Sequence, residues 1–516
     1  MGFIMKIFRT IVSTLFLLLI PVTLVTATST SVRILYLNDF HGFAEPYKPY
    51  GADEEHGGIA WLAARVDQLR REKPTLLLAA GDMIQGNNWA NLFEGKSVIE
   101  AMNLMRFDAM TAGNHEFDFG RDLLIKRIEE ARFPVLGANV EGLGPLRPYV
   151  IRELNGVRIA LLGVVTEDTP VSTHPRNVVG LRFLLLRETL KRYLPELRRQ
   201  ADVVILLSHI GYQADRKLAE EVPGIDLIVG GHSHTRLDKP VRVGATVIVQ
   251  AWEHAKALGV LDLTLDKGKI VAIDGRLVEI RPVQGGADPA VYSLVEKYRK
   301  KVDAALNGRV GKTEVALDGE NVRKRETNFG DLITDIMRSV SHADAALING
   351  GSIRASVAKG PILVKSIYTA LPFDNYIVAI RLTGRQIREA LEHGVAGVEN
   401  GAGAFPQVSG IAFSYAPAAP AGARLREVLI GGKPLDPDKE YSVATNDFLA
   451  AGGDGYTAFG DAIRASRDFA IVGGMLKGEK LLFSDSGHWL RDLVIDDLRV
   501  KGKIAPMTEN RITELP

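Results

Sequence analysis

The chain has no cysteine. That excludes a disulfide framework and a lipid attached through a cysteine of the leader, and it allows folding in an oxidising compartment without mispairing. Charge imbalance is also missing: 63 Lys and Arg stand against 62 Asp and Glu, a formal net charge of +1. The chain as a whole therefore has no electrostatic case for nucleic acid or a membrane surface. Internal repeats and low-complexity tracts are absent, no second long hydrophobic segment follows the first 27 residues, and the end, Arg511 to Pro516, is polar. A glycolipid anchor is not expected from such an end. The 46% hydrophobic content over 516 residues is that of a globular protein with two or more domains.

Residues 1–27 read as a signal peptide. Lys6 and Arg9 make a basic start, Ile11 to Val25 is apolar, and Val25-Thr26-Ala27 is a small-residue cleavage site. A spanning helix needs about 20 apolar residues, so this stretch is too short to anchor the chain. The expected location is periplasmic or secreted, with no stable membrane anchor.

Five short hydrophobic runs each stop at a polar residue of metal-ligand type. Val32 to Leu37 ends in Asn38-Asp39-Phe40-His41, Thr75 to Ala80 in Gly81-Asp82, and Phe107 to Ala112 in Gly113-Asn114-His115-Glu116. Asp202 to Leu207 ends in Ser208-His209, and Ile225 to Val229 in Gly230-Gly231-His232-Ser233-His234. In an open α/β sheet the strand ends form the crevice where ligands sit, so these residues are expected to converge. A lone Asp after a strand is usually a turn or a cap, and a lone His a hydrogen-bonded loop residue. Five successive stops of this kind, with two i, i+2 pairs and glycine beside most of them, point instead to a site for two divalent cations. Two nearby cations need a shared anionic bridge, for which Asp82 is the candidate, and borderline ions accept imidazole nitrogen beside carboxylate oxygen.

The motifs DxH (Asp39, His41), GD (Asp82), GNHEFD (Gly113 to Asp118), the strand-end His209 and GGHSH (Gly230 to His234) resemble those of the calcineurin-like metallophosphoesterases. The second half resembles the nucleotide-binding domain that accompanies them in the 5′-nucleotidase family. The resemblance implies an α/β fold: a four-layer α/β-sandwich metallophosphatase domain plus a second α/β substrate-binding domain, joined by a connector helix. It implies one metal on Asp39, His41, Asp82 and His234, and another on Asp82, Asn114, His209 and His232. His115 would touch the phosphate or leaving group, with Asp118 orienting its ring. Some relatives carry Gln where this chain has His234, so the identity of the two ions (Zn, Mn, Co or Mg) stays open.

Strand-like runs alternate with helical patterns to about residue 280, among them Ile59 to Arg71 and Arg187 to Arg199, read as crossover helices. Pro282, Gly285, Gly286 and Pro289 then punctuate the chain before the amphipathic stretch Ala290 to Leu306. A surface helix is one reading and an interdomain connector the other, and the new motifs beyond it favour the connector. The expected division is a phosphoesterase domain over 31–280, a linker and connector over 281–306, and a substrate-binding domain over 307–516.

In the second half, Arg323 and Arg325 lie in VRKRETNFGDL, and Arg354 ends NGGSIR after two glycines. Guanidinium groups bind phosphate oxygens through paired hydrogen bonds, although any single arginine is more often a solvated charge. LPFDNY and TNDFLAAGGDGY place Phe373 and Phe448 in polar, glycine-rich surroundings. A loop Phe is usually a plug of core, but aromatic faces also bind bases, at about 1–3 kcal/mol per stack. The resemblance implies that Phe373 and Phe448 clamp a nucleobase, Asn375 meets its edge, Asp454 accepts from ribose hydroxyls, and Asn349 contacts ligand. The expected function is hydrolysis of nucleoside 5′-monophosphates, a small-molecule substrate, by metal-activated water. Alternatives are a nucleotide-sugar or dinucleotide pyrophosphohydrolase, a 2′,3′-cyclic nucleotide phosphodiesterase with 3′-nucleotidase activity, and a nucleotide-binding protein without turnover. The oligomeric state is not legible.

Overall fold

The computed structural model describes residues 29–516 apart from 50–51, 285 and 473–474, so the expected signal peptide lies outside the described residues. The five ligand-bearing strands do not share one open sheet. Thr30–Leu37, Thr75–Ala80 and Ala109–Thr111 run parallel in a six-stranded sheet that is completed by Val135–Leu136 and the antiparallel pair Ala257–Asp266 and Lys269–Glu279. Val203–His209 and Leu227–Gly230 are parallel neighbours in a second six-stranded sheet.

The sheets stack face to face because their strands are apolar on both sides. Val32, Ile34 and Tyr36 turn inward to meet Val203, Ile205, Leu207, Leu227 and Val229. Leu35 and Leu37 turn outward into a layer of helices, including Ile59–Arg70 through Ile59, Leu62 and Val66. On the far side, Val204, Leu206 and Ile228 are covered by the helices Leu186–Gln200 and Tyr212–Glu221. Helix, sheet, sheet, helix gives four layers. Burial on both faces explains why these strands read as unbroken apolar runs rather than alternating ones.

The helix Pro289–Leu306 opens on the Asp288 side chain, which accepts from the Val291 N–H at 2.9 Å. Its Val291, Leu294, Val295 and Tyr298 are buried in the same outer layer as Ile59–Arg70, while its Asp303 pairs with Lys365 of the second half at 2.8 Å. The helix joins the two halves and packs chiefly on the first, with Val364–Ala370 of the second also against it. The second half is built on a five-stranded sheet in the order Pro406–Ser409, Ala345–Asn349, Glu440–Asn446, Ile377–Thr383, Leu481–Ser484. Asn328–Ser341 and Leu490–Lys501 cover one face, and Gly384–Val395 and Thr457–Arg464 the other.

One buried carboxyl has too few partners. Asp215 is fully buried beneath the second sheet's strand ends, where one oxygen accepts from the Ser208 hydroxyl at 2.6 Å and the other has no partner. Burial pushes its pKa up to about 8, against the pull of the Ser208 hydrogen bond. A carboxyl that is neutral when folded and ionises near 4 when unfolded stabilises the fold at low pH and loses that contribution as pH rises to about 8. Unfolding free energy measured across that window should fall more steeply for the wild type than for Asp215→Asn, and parallel curves would contradict the buried neutral carboxyl.

Candidate metal centre and adjoining cavity

Five of the seven expected metal ligands have left-handed backbones: Asp39 (φ 49°), His41 (49°), Asp82 (55°), His232 (75°) and His234 (51°). Such conformations cost of order 1–3 kcal/mol each and persist only where neighbours over-determine them. Here the Asp39 N–H donates to Gly81 O and the His41 N–H to Asp82 O, both at 3.0 Å, so two ligand loops hold each other. Buried Glu116 accepts from the backbone N–H groups of Gly113 (2.6 Å), Met83 (2.7 Å) and Asp82 (2.8 Å). A Cβ on Gly113 would lie 2.3 Å from Asp82 Oδ1, and one on Gly231 2.3 Å from Ala80 O, so glycine is required at both close approaches.

The ligands converge in two groups, Asp39, His41 and His234, and Asp82, His209 and His232, each with its ligand atoms within 4.8 Å of one another. Asp82 Oδ2 lies 3.0 Å from His209 Nε2 and 3.8 Å from His41 Nε2, facing both groups. His234 Nε2 lies 3.3 Å from Asp39 Oδ1 and 3.3 Å from His41 Nε2. Asn114 Oδ1 meets His232 Nδ1 at 3.0 Å.

The hydrogen bonds on the far side of three rings decide what these approaches mean. His41 Nδ1 meets Gln85 O at 2.8 Å, His209 Nδ1 meets Ala80 O at 2.6 Å, and His234 Nδ1 meets Glu253. With Nδ1 donating, the Nε2 atoms of His209 and His234 face carboxylate oxygens, and His41 Nε2 faces the Arg354 guanidinium and His234. A proton or a metal ion supplies the positive charge at the first two; with no metal, burial would lower the His209 pKa, but Asp82 outweighs it and pushes it up to about 10. His209 Nε2 is buried without a hydrogen-bond partner. Electron-rich atoms opposed at this range need positive charge between them, and imidazole with carboxylate is a divalent-metal donor set. Residue protonation reflects the same need. Burial would raise the Asp82 pKa, but His209 and His115 outweigh it and hold the carboxyl well below its usual range. Burial, with Arg354 adding, holds His41 well below its usual value, in the neutral form that ligates.

Beside the groups, His115 Nδ1 meets Asp118 Oδ2 at 2.6 Å. Asp118 Oδ1 accepts from the Thr173 hydroxyl at 2.6 Å, and its backbone carbonyl from Asn177 Nδ2 at 2.7 Å. Burial alone would lower the His115 pKa; Asp118 and Asp82 override it and raise it.

A cavity of about 770 Å³ runs from these residues between the two halves. Its walls include Asp82, Asn114, His115, His232 and His234 from the first half, and Arg323, Asn349, Arg354, Phe373, Asn375, Phe448 and Asp454 from the second. The Arg354 guanidinium reaches His41 Nε2 at 3.1 Å. The Phe373 ring stacks near His115 at 5.8 Å between centroids, and Asn349 Nδ2 donates to Asp454 Oδ2 at 2.6 Å. Arg325 is not brought to the cavity: its side chain is 65% exposed and pairs with Asp318 at 3.2 Å. Arg323, two residues earlier, lines the wall instead. Glu116, Thr173 and Glu253 were not found from the sequence. Glu116 lies inside GNHEFD, but nothing in its spacing tells a backbone acceptor from a helix-surface charge.

The calcineurin-like phosphoesterase family matches residues 32–236, and the 5′-nucleotidase C-terminal domain matches residues 309–461. A 5′-nucleotidase of Bos taurus is 32% identical over 88% of this chain and 89% of its own length. A trifunctional nucleotide phosphoesterase of Bacillus subtilis is 33% identical over 87% of this chain, which spans only 33% of that longer protein. The crystal structure of a 5′-nucleotidase precursor from Thermus thermophilus is 33% identical, with a TM-score of 0.84 over 94% of this chain and 99% of that one.

Glu116→Ala would strand at least three buried N–H groups at about 1–3 kcal/mol each. Urea unfolding should register a loss of about 3 kcal/mol or more, and an unmoved midpoint would show that Glu116 does not hold the Asp82 loop.

Proposed function

We propose that this chain, which belongs to the 5′-nucleotidase family and is a metal-dependent phosphoester hydrolase, converts nucleoside 5′-monophosphates to nucleoside and phosphate. The observation that carries this reading is the cavity lined both by Asp82, His232 and His234 and by Phe448 and Asp454, with Arg354 in its wall reaching His41. Asp39, His41, Asp82 and His234 would hold one divalent ion, and Asp82, Asn114, His209 and His232 another. Ions held there supply positive charge for phosphoryl oxygens and lower the pKa of a water poised for in-line attack.

The chain's own groups do the rest. Asn114 and His115 donate hydrogen bonds to the phosphoryl oxygens as they gain charge. Asp118, fixed by Thr173, keeps His115 protonated on Nδ1 and turned toward the leaving oxygen. Arg323 and Arg354 clamp the phosphate with planar donors. Phe373 and Phe448 take the base between their faces, Asn375 meets its edge, and Asp454, with Asn349 bonded to it, accepts from ribose hydroxyls. Residues 31–280 would be the phosphoesterase domain and 307–516 the substrate-binding domain, with 281–306 between them.

Among the described residues no helix is long and apolar enough to cross a membrane. The basic and apolar leader supports export, to the periplasm or outside the cell. Similarity to a trifunctional nucleotide phosphoesterase supports a second reading, in which the same centre also opens other nucleotide phosphoesters. Membership of a hydrolase family sets aside a binder without turnover.

Phosphate release from AMP, UDP-glucose, a 2′,3′-cyclic nucleotide and an aryl phosphate, with and without chelator, tests both readings. AMP should be turned over fastest and only with metal. Phe448→Ala should raise the barrier for AMP by about 1–3 kcal/mol and spare the aryl phosphate. Chelator-resistant turnover, or equal losses on both substrates, would contradict the assignment.

A further inference from the structure

Glu253 and His254 lie against the Asp39 group without belonging to it. Ligand-type atoms of His234, Glu253 and His254 fall within 4.8 Å of one another, the spacing of a third ion site. Each is already engaged, however. Glu253 Oε2 accepts from His234 Nδ1, Glu253 Oε1 accepts from Lys256 Nζ at 2.5 Å, and His254 Nδ1 meets the Tyr47 hydroxyl at 2.9 Å. Lys256 supplies the positive charge that an ion would otherwise bring. The arrangement is a support, not a third centre.

We infer that Glu253 is the positioning residue for His234: it locks the ring with Nε2 toward Asp39 and His41 and strengthens His234 as a donor to an ion in that group. The inference rests on the two-ion reading above and adds a residue to it that no ligand spacing discloses.

Four observations carry it. His234 is half-buried, with 18% of its side chain accessible against 1% for His41 and 0% for His209. Those two rings are locked by backbone carbonyls in the interior, whereas a side chain, Glu253, holds the ring of His234. The carboxylate that does so is itself held, since Lys256 Nζ lies 3.8 Å from the Trp252 ring centroid, between that ring and Glu253. Finally, the turn carrying Glu253 is left-handed at Trp252 (φ 69°), His254 (54°) and Ala255 (55°). Asn38 Nδ2 pins it to Trp252 O at 2.6 Å, and the His254 N–H donates to Asp39 O at 2.8 Å. Backbone strain of this kind persists where neighbours over-determine it, as these two hydrogen bonds do. The turn ties the support for His234 to the same backbone that presents Asp39. A charged acceptor on Nδ1 also makes the imidazole more basic than a carbonyl does, which raises its affinity for zinc-like ions.

The test uses the full chain, stripped with chelator and titrated with zinc alone in competition with a colorimetric chelator, with metal content measured after dialysis. The wild type should take two ions. Glu253→Ala should weaken one of them about 10–100-fold and leave the other unchanged, with Glu253→Gln, a neutral acceptor, falling between. Glu253→Ala also strands buried Lys256 and so lowers the metal-free midpoint, but its rise on adding zinc should shrink as well. A purely structural Glu253 would lower the metal-free midpoint and keep the rise intact. Should Glu253→Ala fail to fold, Glu253→Gln carries the comparison. Two ions of unchanged affinity in the folded variants would overturn the role of Glu253 and leave the two-ion reading standing. A wild type that takes up no zinc would overturn both.

Discussion

Buried carboxylates facing imidazole nitrogens at the ends of two stacked sheets are the constraint on which the rest of the molecule depends. His209 Nε2 and Asp82 Oδ2 meet at 3.0 Å in the interior, and His234 Nε2 meets Asp39 Oδ1 at 3.3 Å where the cavity begins. Only positive charge makes such a juxtaposition stable, and the fold maintains it through several costly features. Five ligand backbones are left-handed, glycines are compelled at 113 and 231 by contacts a Cβ would break, and a buried glutamate satisfies the amides of the Asp82 loop. These features lie in loops, yet each loop is anchored on a strand buried on both faces. Geometry at the strand ends is therefore inherited from the rigid core beneath it.

The two halves meet through polar contacts gathered around the cavity. Asn88 Nδ2 donates to Lys365 O at 2.8 Å and to the Thr369 hydroxyl at 2.7 Å, and His174 meets Asp447 at 3.2 Å, one residue before Phe448. The stretch from Ser172 to Asn177 thus touches Asn114, Asp118 and the base of the Phe448 helix within six residues. Groups proposed for chemistry and for recognition share one strap. Arg354 of the second half likewise reaches His41 of the first.

Much of this was legible in the sequence, because strands buried on both faces announce themselves as unbroken apolar runs and glycine marks close approach. All five runs are strands, and Ile59–Arg70 and Leu186–Gln200 are helices within a residue or so of their periodic patterns. The division of those strands between two sheets was not legible from the runs, since a strand between two apolar layers looks the same in either sheet. Proximity in sequence carries no information about which of Arg323 and Arg325 faces the cavity, and in the fold it is Arg323. Glu116, Thr173 and Glu253 were missed because their partners are backbone amides or residues far along the chain, contacts that leave no periodic trace. The helix Pro289–Leu306 needed both readings, since it is a surface helix of the first half and the link to the second.

The central claim, that the two halves enclose one phosphate between two ions and an aromatic base site, is tested most directly by anomalous diffraction from crystals grown with zinc and a non-hydrolysable AMP analogue. The account requires two anomalous peaks, one among Asp39, His41 and His234 and one among Asp82, His209 and His232. The phosphate must lie between them and Arg354, and the base against Phe448. A single peak, or a nucleotide bound with its base away from Phe448 and its phosphate away from both groups, would contradict it.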